Sequence, residues 1–254
     1  MSAATCPHST TMVTMSSRLT FLHPSRSIPV TRWRAASRWR TRPGTFAILV
    51  SGLWLFGTGE ALFIASGLGV SPWTVLAQGM TNHLPISIGL ATFITSGIVL
   101  LLWIPLRERP GLGTISNAIV ISLALQIMVL VIHQPEQLWL RIAFIVAGLA
   151  CIGCGSGLYL TTNLGPGPRD GWMTGIHQRT GWPVARVRLC IEAVVLVIGW
   201  LLGGTVGFGT LAFAVFIGAS VGYGLRLAGW IGHSEGSVDA GVPDVDQPHP
   251  ELEA

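Results

Sequence analysis

Two carboxylates in this 254-residue chain lie inside apolar stretches. Glu60 falls in the run 46–66, and Glu192 near the middle of 184–202. A carboxylate at bilayer depth costs about 2.5–3.5 kcal/mol on insertion scales. A residue kept at that cost suits a proton or cation site. Glu60 has no base within a helical turn, which favours a functional role. Glu192 follows Arg188 by four residues, so a local ion pair is an equal alternative. Arg186 and Arg188 are also placed to meet an anionic solute or a lipid head group.

These residues are tied together by an internal repeat. Residues 47–114 align without a gap to 143–210, at an offset of 96, with 17 identities in 68 pairs, seven of them Gly. At that offset Glu60 pairs with Ser156, and Ser96 with Glu192. The two units thus present Glu/Ser and Ser/Glu at matching positions, where they could face one another. Leu68-Gly69-Val70-Ser71-Pro72 matches Leu164-Gly165-Pro166-Gly167-Pro168, and Gly111-Leu112-Gly113-Thr114 matches Gly207-Phe208-Gly209-Thr210. Gly57-x-Gly59 and Gly153-x-Gly155 read as points of close helix approach, with ion coordination by loosened backbone as the alternative.

The elements that must hold these residues are membrane helices. The chain is 50% hydrophobic and 10% charged, against about 25% charge in soluble domains, with mean hydropathy +0.61. That composition excludes an ordinary soluble enzyme, a disordered chain and a disulfide scaffold. A span needs about 20 apolar residues. Six stretches qualify: 46–66, 86–106, 112–132, 140–161, 184–202 and 208–229. The fold expected is all-α, with six spans in two three-helix units, 46–132 and 140–229, inside a membrane domain 46–230. Three is odd, so the second unit enters from the opposite side, as in the inverted repeats of secondary transporters. The connectors after Gly69 and Gly165 continue from Pro72 and from Pro168-Arg169-Asp170 as helices too short to span, interfacial or re-entrant. Asp170 in the first turn suits the helix dipole; a pair with Arg169 or a gate are the other readings.

Charge placement fixes the expected orientation. All 15 basic residues are Arg; seven precede residue 45, and six of the 11 acids follow residue 230. With both termini in the cytoplasm, every Arg except Arg141 falls inside. The basic head 1–45 and acidic tail 231–254 read as disordered. The head is transit-peptide-like in its Arg and Ser content, and a start at Met12 or Met15 is an alternative; it lacks the apolar core of a secretory signal. It faces anionic lipid rather than nucleic acid. Trp103, Trp139, Trp182, Trp200 and Trp230 fall near span ends as interfacial anchors.

Other chemistry finds no footing. Cys151-x-x-Cys154 has redox or metal spacing, but no His or second CxxC accompanies it. No metal ligand set, cofactor motif or catalytic constellation is expected. The Gly-Pro connectors lack the Lys-Ser/Thr ending of a phosphate loop, and proline removes the N–H donors that would cradle phosphate.

Three runs carry a family resemblance: Gly67 to Gly79, Trp103 to Thr114, and Gly155 to Tyr159 with Leu164 to Gly171. Together they resemble the YczE-type bacterial integral membrane proteins, relatives of the YitT/YyaS group, over about 46–229. The resemblance implies a bacterial inner-membrane protein and carries no settled activity. The residues themselves favour a small-molecule or ion transporter, with proton coupling as an option. A non-transporting accessory protein, supporting another membrane or biosynthetic complex, is the alternative. The partners expected are the bilayer and a small molecule or ion, with a homodimer or a membrane partner protein as further options.

Overall fold

The computed structural model describes residues 28–232, and every regular element among them is a helix. They are α1 (Pro43–Ser66), α2 (Pro72–His83), α3 (Ile88–Leu101), α4 (Trp103–Leu106), α5 (Leu112–Val131), α6 (Leu138–Thr161), α7 (Pro168–Thr180), α8 (Val184–Leu201) and α9 (Phe208–Gly232). Proline opens α1, α2 and α7, where its missing N–H is no loss and its fixed φ fits the first turn. Gly67 ends α1 in the left-handed region (φ 64°), its N–H bonded to the Ile64 carbonyl, as helix C-termini favour.

Among the described residues, five helices are long and apolar enough to cross a membrane: α1, α3 continued through α4, α5, α6 and α9. The expected fifth stretch, α8, falls outside that class because Arg186, Arg188 and Glu192 lie within its 18 residues. At 1.5 Å per residue it is still about 27 Å long. Its far end meets the C-terminal end of α2, where the Asn82 amide donates to Gly203 O at 2.9 Å.

One end of the bundle gathers the N-termini of α1 and α5 and the C-termini of α6 and α9. Residues 28–42 lie across it, contrary to a disordered head reaching residue 45. Arg32 N donates to Gly232 O (3.1 Å), Ala35 N to Thr162 O (2.9 Å) and Leu112 N to Arg38 O (2.9 Å). Trp33 is buried there, with its Nε1 donating to Thr161 Oγ1 at 3.1 Å. The rest of the expected head, 1–27, and the acidic tail from residue 233 lie outside the described residues.

Backbone geometry follows the 96-residue register. Of the seven described residues with positive φ, six form three pairs at that offset: Gly67 and Asn163, Gly69 and Gly165, Arg107 and Gly203. The GxGT turns bond reciprocally. Gly113 N donates to Leu164 O, and Gly209 N to Leu68 O, each at 2.8 Å. Gly69 (φ 110°) and Gly165 (φ 116°) adopt a conformation that only glycine takes without strain.

α1 packs along α6 through glycine. A Cβ on Gly155 would stand 2.5 Å from Gly52 O, and one on Gly59 would stand 2.7 Å from Gly148 O. This is the close approach read from the glycine pattern. Trp103 departs from its expected role as an interfacial anchor. It is 2% exposed, donates from Nε1 to Pro168 O at 2.9 Å and covers Gly171, where a Cβ would collide with the indole. Trp139, Trp182, Trp200 and Trp230 are exposed on the helix surface.

Candidate functional site

α2 and α7 run from the bundle interior outward. Ser71 and Thr74, at the start of α2, reach Glu60, which lies six residues before the end of α1. The chain therefore turns back to the depth of Glu60 before α2 begins. The start of α7 lies opposite. Arg169 stacks over the Trp73 ring at 4.9 Å, and Trp73 meets Trp172 edge-on at 6.4 Å. The two N-terminal ends thus meet inside the protein.

A cavity of about 120 Å³ lies at this meeting point. One water needs roughly 10–15 Å³, so a small ion or organic group fits and a disaccharide does not. Its lining is drawn from α1, α2, α3, α5, α6, α7, α8 and α9. Five pairs of lining residues stand 96 apart in sequence: Phe56 and Ile152, Trp73 and Arg169, Ser96 and Glu192, Asn117 and Phe213, Ile121 and Ile217.

Of the residues singled out from sequence, Ser96, Ser156, Arg169, Asp170, Arg188 and Glu192 line this cavity. Glu60 lies behind it. It is 2% exposed and accepts from Ser71 Oγ (2.8 Å to Oε2) and Thr74 Oγ1 (2.7 Å). The positive end of the α2 dipole adds to those two hydroxyls in holding the charge. Glu60, Asp170 and Glu192 all act electrostatically on the Arg169 guanidinium. Arg188 Nε donates to Glu192 Oε1 at 2.9 Å, so the local ion pair foreseen for these two forms. Asp170 accepts from the Tyr159 hydroxyl rather than from Arg169. Arg186 is exposed and outside the lining, so it is not an anion contact of this cavity. Gly69, Gly165, Pro72 and Pro168 shape the turns and contribute no lining side chain.

Sequence reasoning missed Asn117 and Tyr159. Both sit in apolar helices. Asn117 does carry a signal: its mate at the 96-residue offset is Phe213, an exchange of polar for apolar. Arg169, by sequence a connector residue, lines the cavity together with Arg188.

Exposure around the cavity is uneven. The Arg188 side chain is 38% exposed and that of Glu192 15%, and Asp170 is exposed. Glu60 and Ser71 are closed off. The polar residues of the lining that reach the surface are thus those of α7 and the start of α8. Cys151 and Cys154 are half-buried free thiols away from the lining, and Cys190 is exposed. Among the described residues no group of three or more His, Cys, Asp or Glu is arranged to hold a metal ion.

The chain is similar in sequence to known proteins. The family described as "Family of unknown function (DUF6198)" matches residues 44–225. An uncharacterised protein of Haemophilus influenzae is 43% identical over 208 residues, 82% of this chain and 95% of that protein. The uncharacterised membrane protein YczE of Bacillus subtilis is 29% identical over 177 residues, 69% of this chain and 82% of its own. The uncharacterised protein YyaS of the same organism is 26% identical over 164 residues, 63% of this chain and 82% of its own. No solved structure matches. With its apolar helices and its relationship to a membrane protein, the chain is a multi-pass membrane protein.

Proposed function

The chain belongs to the DUF6198 family, a family of unknown function, and for this YczE-type membrane protein we propose transport of a small molecule or ion through the central cavity. The architecture proposed is six spans, α8 included, in two inverted three-span units with both termini in the cytoplasm of a bacterial inner membrane. The observation that carries the reading is the lining itself. Five pairs of its residues stand 96 apart in sequence, which supports a cavity between the two proposed units. Transporters built from inverted repeats bind their solutes there, between discontinuous helices.

The paired positive-φ residues and the reciprocal GxGT contacts support the inverted repeat. The difference in exposure between the two helix starts supports alternating access. The α7 side is open at Asp170 and Arg188, while the α2 side is shut over Glu60. Exchanging the conformations of the two units would open the α2 side and close the other. Glu60, Asp170 and Glu192 supply three carboxylates along that path, enough for proton coupling.

The test uses the full chain in proteoliposomes on a solid-supported membrane. A panel of small acids, amines and inorganic ions is applied with and without a pH step. Saturable current with at least one solute, reduced at least tenfold in Glu192→Gln, is the expected result. No current from any solute, with protein that remains monodisperse and inserted, would overturn the transport reading in favour of an accessory role.

A further inference from the structure

We propose that the cavity is an anion site: Arg169, between the N-terminal ends of α2 and α7, binds a small anion that enters together with one proton. The inference rests on the transport reading and names the class of solute.

Arg169 is the starting point. Its guanidinium offers five N–H donors in one plane. Its face is used by Trp73 at 4.9 Å, which leaves the edge donors free, and among the described residues the side chain makes no hydrogen bond. Two neutral donors share the cavity in the same condition. The Ser156 side chain, 4% exposed, and the Asn117 amide both line it and have no hydrogen-bond partner among the described residues. Ser156 is buried, while Arg169 and Asn117 are half-buried. Buried polar groups are almost always satisfied, and three side chains with donors free toward one cavity point to a ligand rich in acceptors.

The backbone adds to this. Trp73 of α2 and Gly167, Arg169 and Asp170 of α7 line the cavity. Both helices bring their N-terminal ends to it, with first-turn amides that have no carbonyl partner within their helix. Such ends favour negative charge. A planar guanidinium also matches planar oxyanions such as nitrate or a carboxylate.

Charge decides the coupling. The groups facing Arg169 are Glu60 from α1, Asp170 from α7, and Arg188 and Glu192 from α8, with the Tyr159 hydroxyl from α6. α2, α3 and α5 present Trp73, Ser96 and Asn117, and α9 presents only Phe213, Ile217 and Val221. Three acids face two bases, a net charge of −1. An anion alone would deepen that deficit, and one proton taken up with it restores the balance. Asp170 is the acceptor. Glu192 is held by Arg188, and Glu60 is enclosed by two hydroxyls. Asp170 is exposed and keeps its Tyr159 contact through Oδ2, so the proton goes to Oδ1.

The test is nitrate binding to the full chain in neutral detergent, by titration calorimetry between pH 5 and 8, with gluconate keeping the ionic strength constant. Nitrate stays charged over this range, so any pH dependence belongs to the protein. The expected affinity rises by about tenfold per unit fall in pH on the alkaline limb. Arg169→Gln weakens it at least tenfold. Ser156→Ala and Asn117→Ala, which leave every charge in place, each weaken it by roughly two- to tenfold, the loss of one hydrogen bond. Asp170→Asn binds with an affinity that no longer follows pH. Binding equal in wild type, Arg169→Gln and Ser156→Ala overturns the proposal, as does saturable binding of sodium or choline in place of nitrate. Arg169-dependent nitrate binding without flux of any solute in vesicles would keep the site and refute transport. Flux indifferent to Arg169→Gln would keep transport and refute the site.

Discussion

Gly155→Ala adds one methyl group where α6 meets α1. The new Cβ would stand 2.5 Å from Gly52 O and 2.8 Å from Phe56 N, whereas ordinary contact begins at 3.4 Å. Both obstacles are backbone, so no side chain can rotate away. Relief needs the helices to part locally by about 0.9 Å, the difference between those two separations. Overpacking of this kind costs about 1–3 kcal/mol. Against it, alanine gains about 0.8–1 kcal/mol of helix propensity over glycine. The net expectation is a loss of about 1 kcal/mol, and more for Gly155→Val. Gly97→Ala in α3 and Gly218→Ala in α9 are the controls: nothing lies within 4 Å of either added Cβ, so only the propensity gain remains. Thermal unfolding of the purified protein in detergent reads both signs, at about 2–4 °C per kcal/mol for a chain of this size. Gly155→Ala unfolding at or above the wild-type temperature would refute the claim that the α1–α6 backbones are in contact. So would an equal fall in Gly97→Ala.

Trp103→Ala removes the hydrogen bond to Pro168 O and the indole that covers Gly171. A loss of about 3–5 kcal/mol is expected, read as a fall in unfolding temperature; a change within 2 °C would show that the indole does not hold α7 in place. Glu60→Gln keeps two hydroxyl partners and removes a buried charge, so its unfolding temperature is expected to match or exceed that of wild type. A clear fall would mean the charge serves the fold rather than transport. Breaking the half-exposed Arg188–Glu192 pair with Arg188→Gln should cost no more than about 1 kcal/mol, checked by the same melt. For orientation, Gln134→Cys between α5 and α6 should react with an impermeant maleimide in intact cells, and Arg179→Cys only after permeabilisation. The reverse pattern would invert the topology.

Most of the helices were legible in the sequence. Length and apolar content set α1, α5, α6 and α9, and proline marked the starts of α2 and α7. The 96-residue offset was legible because glycines recur at it, among them Gly59 and Gly155, where a larger side chain would press on the backbone of the facing helix. Glu60 and Glu192 stood out because a charge in an apolar run is costly.

What the tertiary structure decided is which side chain faces inward. Hydrophobic periodicity reveals the buried face of a helix only when its other face meets water. Here the outer face meets lipid, which is as apolar as the interior. Arg186 and Arg188 are two residues apart, and only the rotation of α8 puts one outside and the other in the cavity. Trp103 read as an interfacial anchor until Gly171 opened a space for it. Residues 28–42 carry no helical or strand pattern, yet their backbone bonds bind them across the bundle end. Arg169 lines the cavity because α2 and α7 turn back toward each other. That turn depends on contacts between units about 100 residues apart, and no local stretch of sequence encodes it.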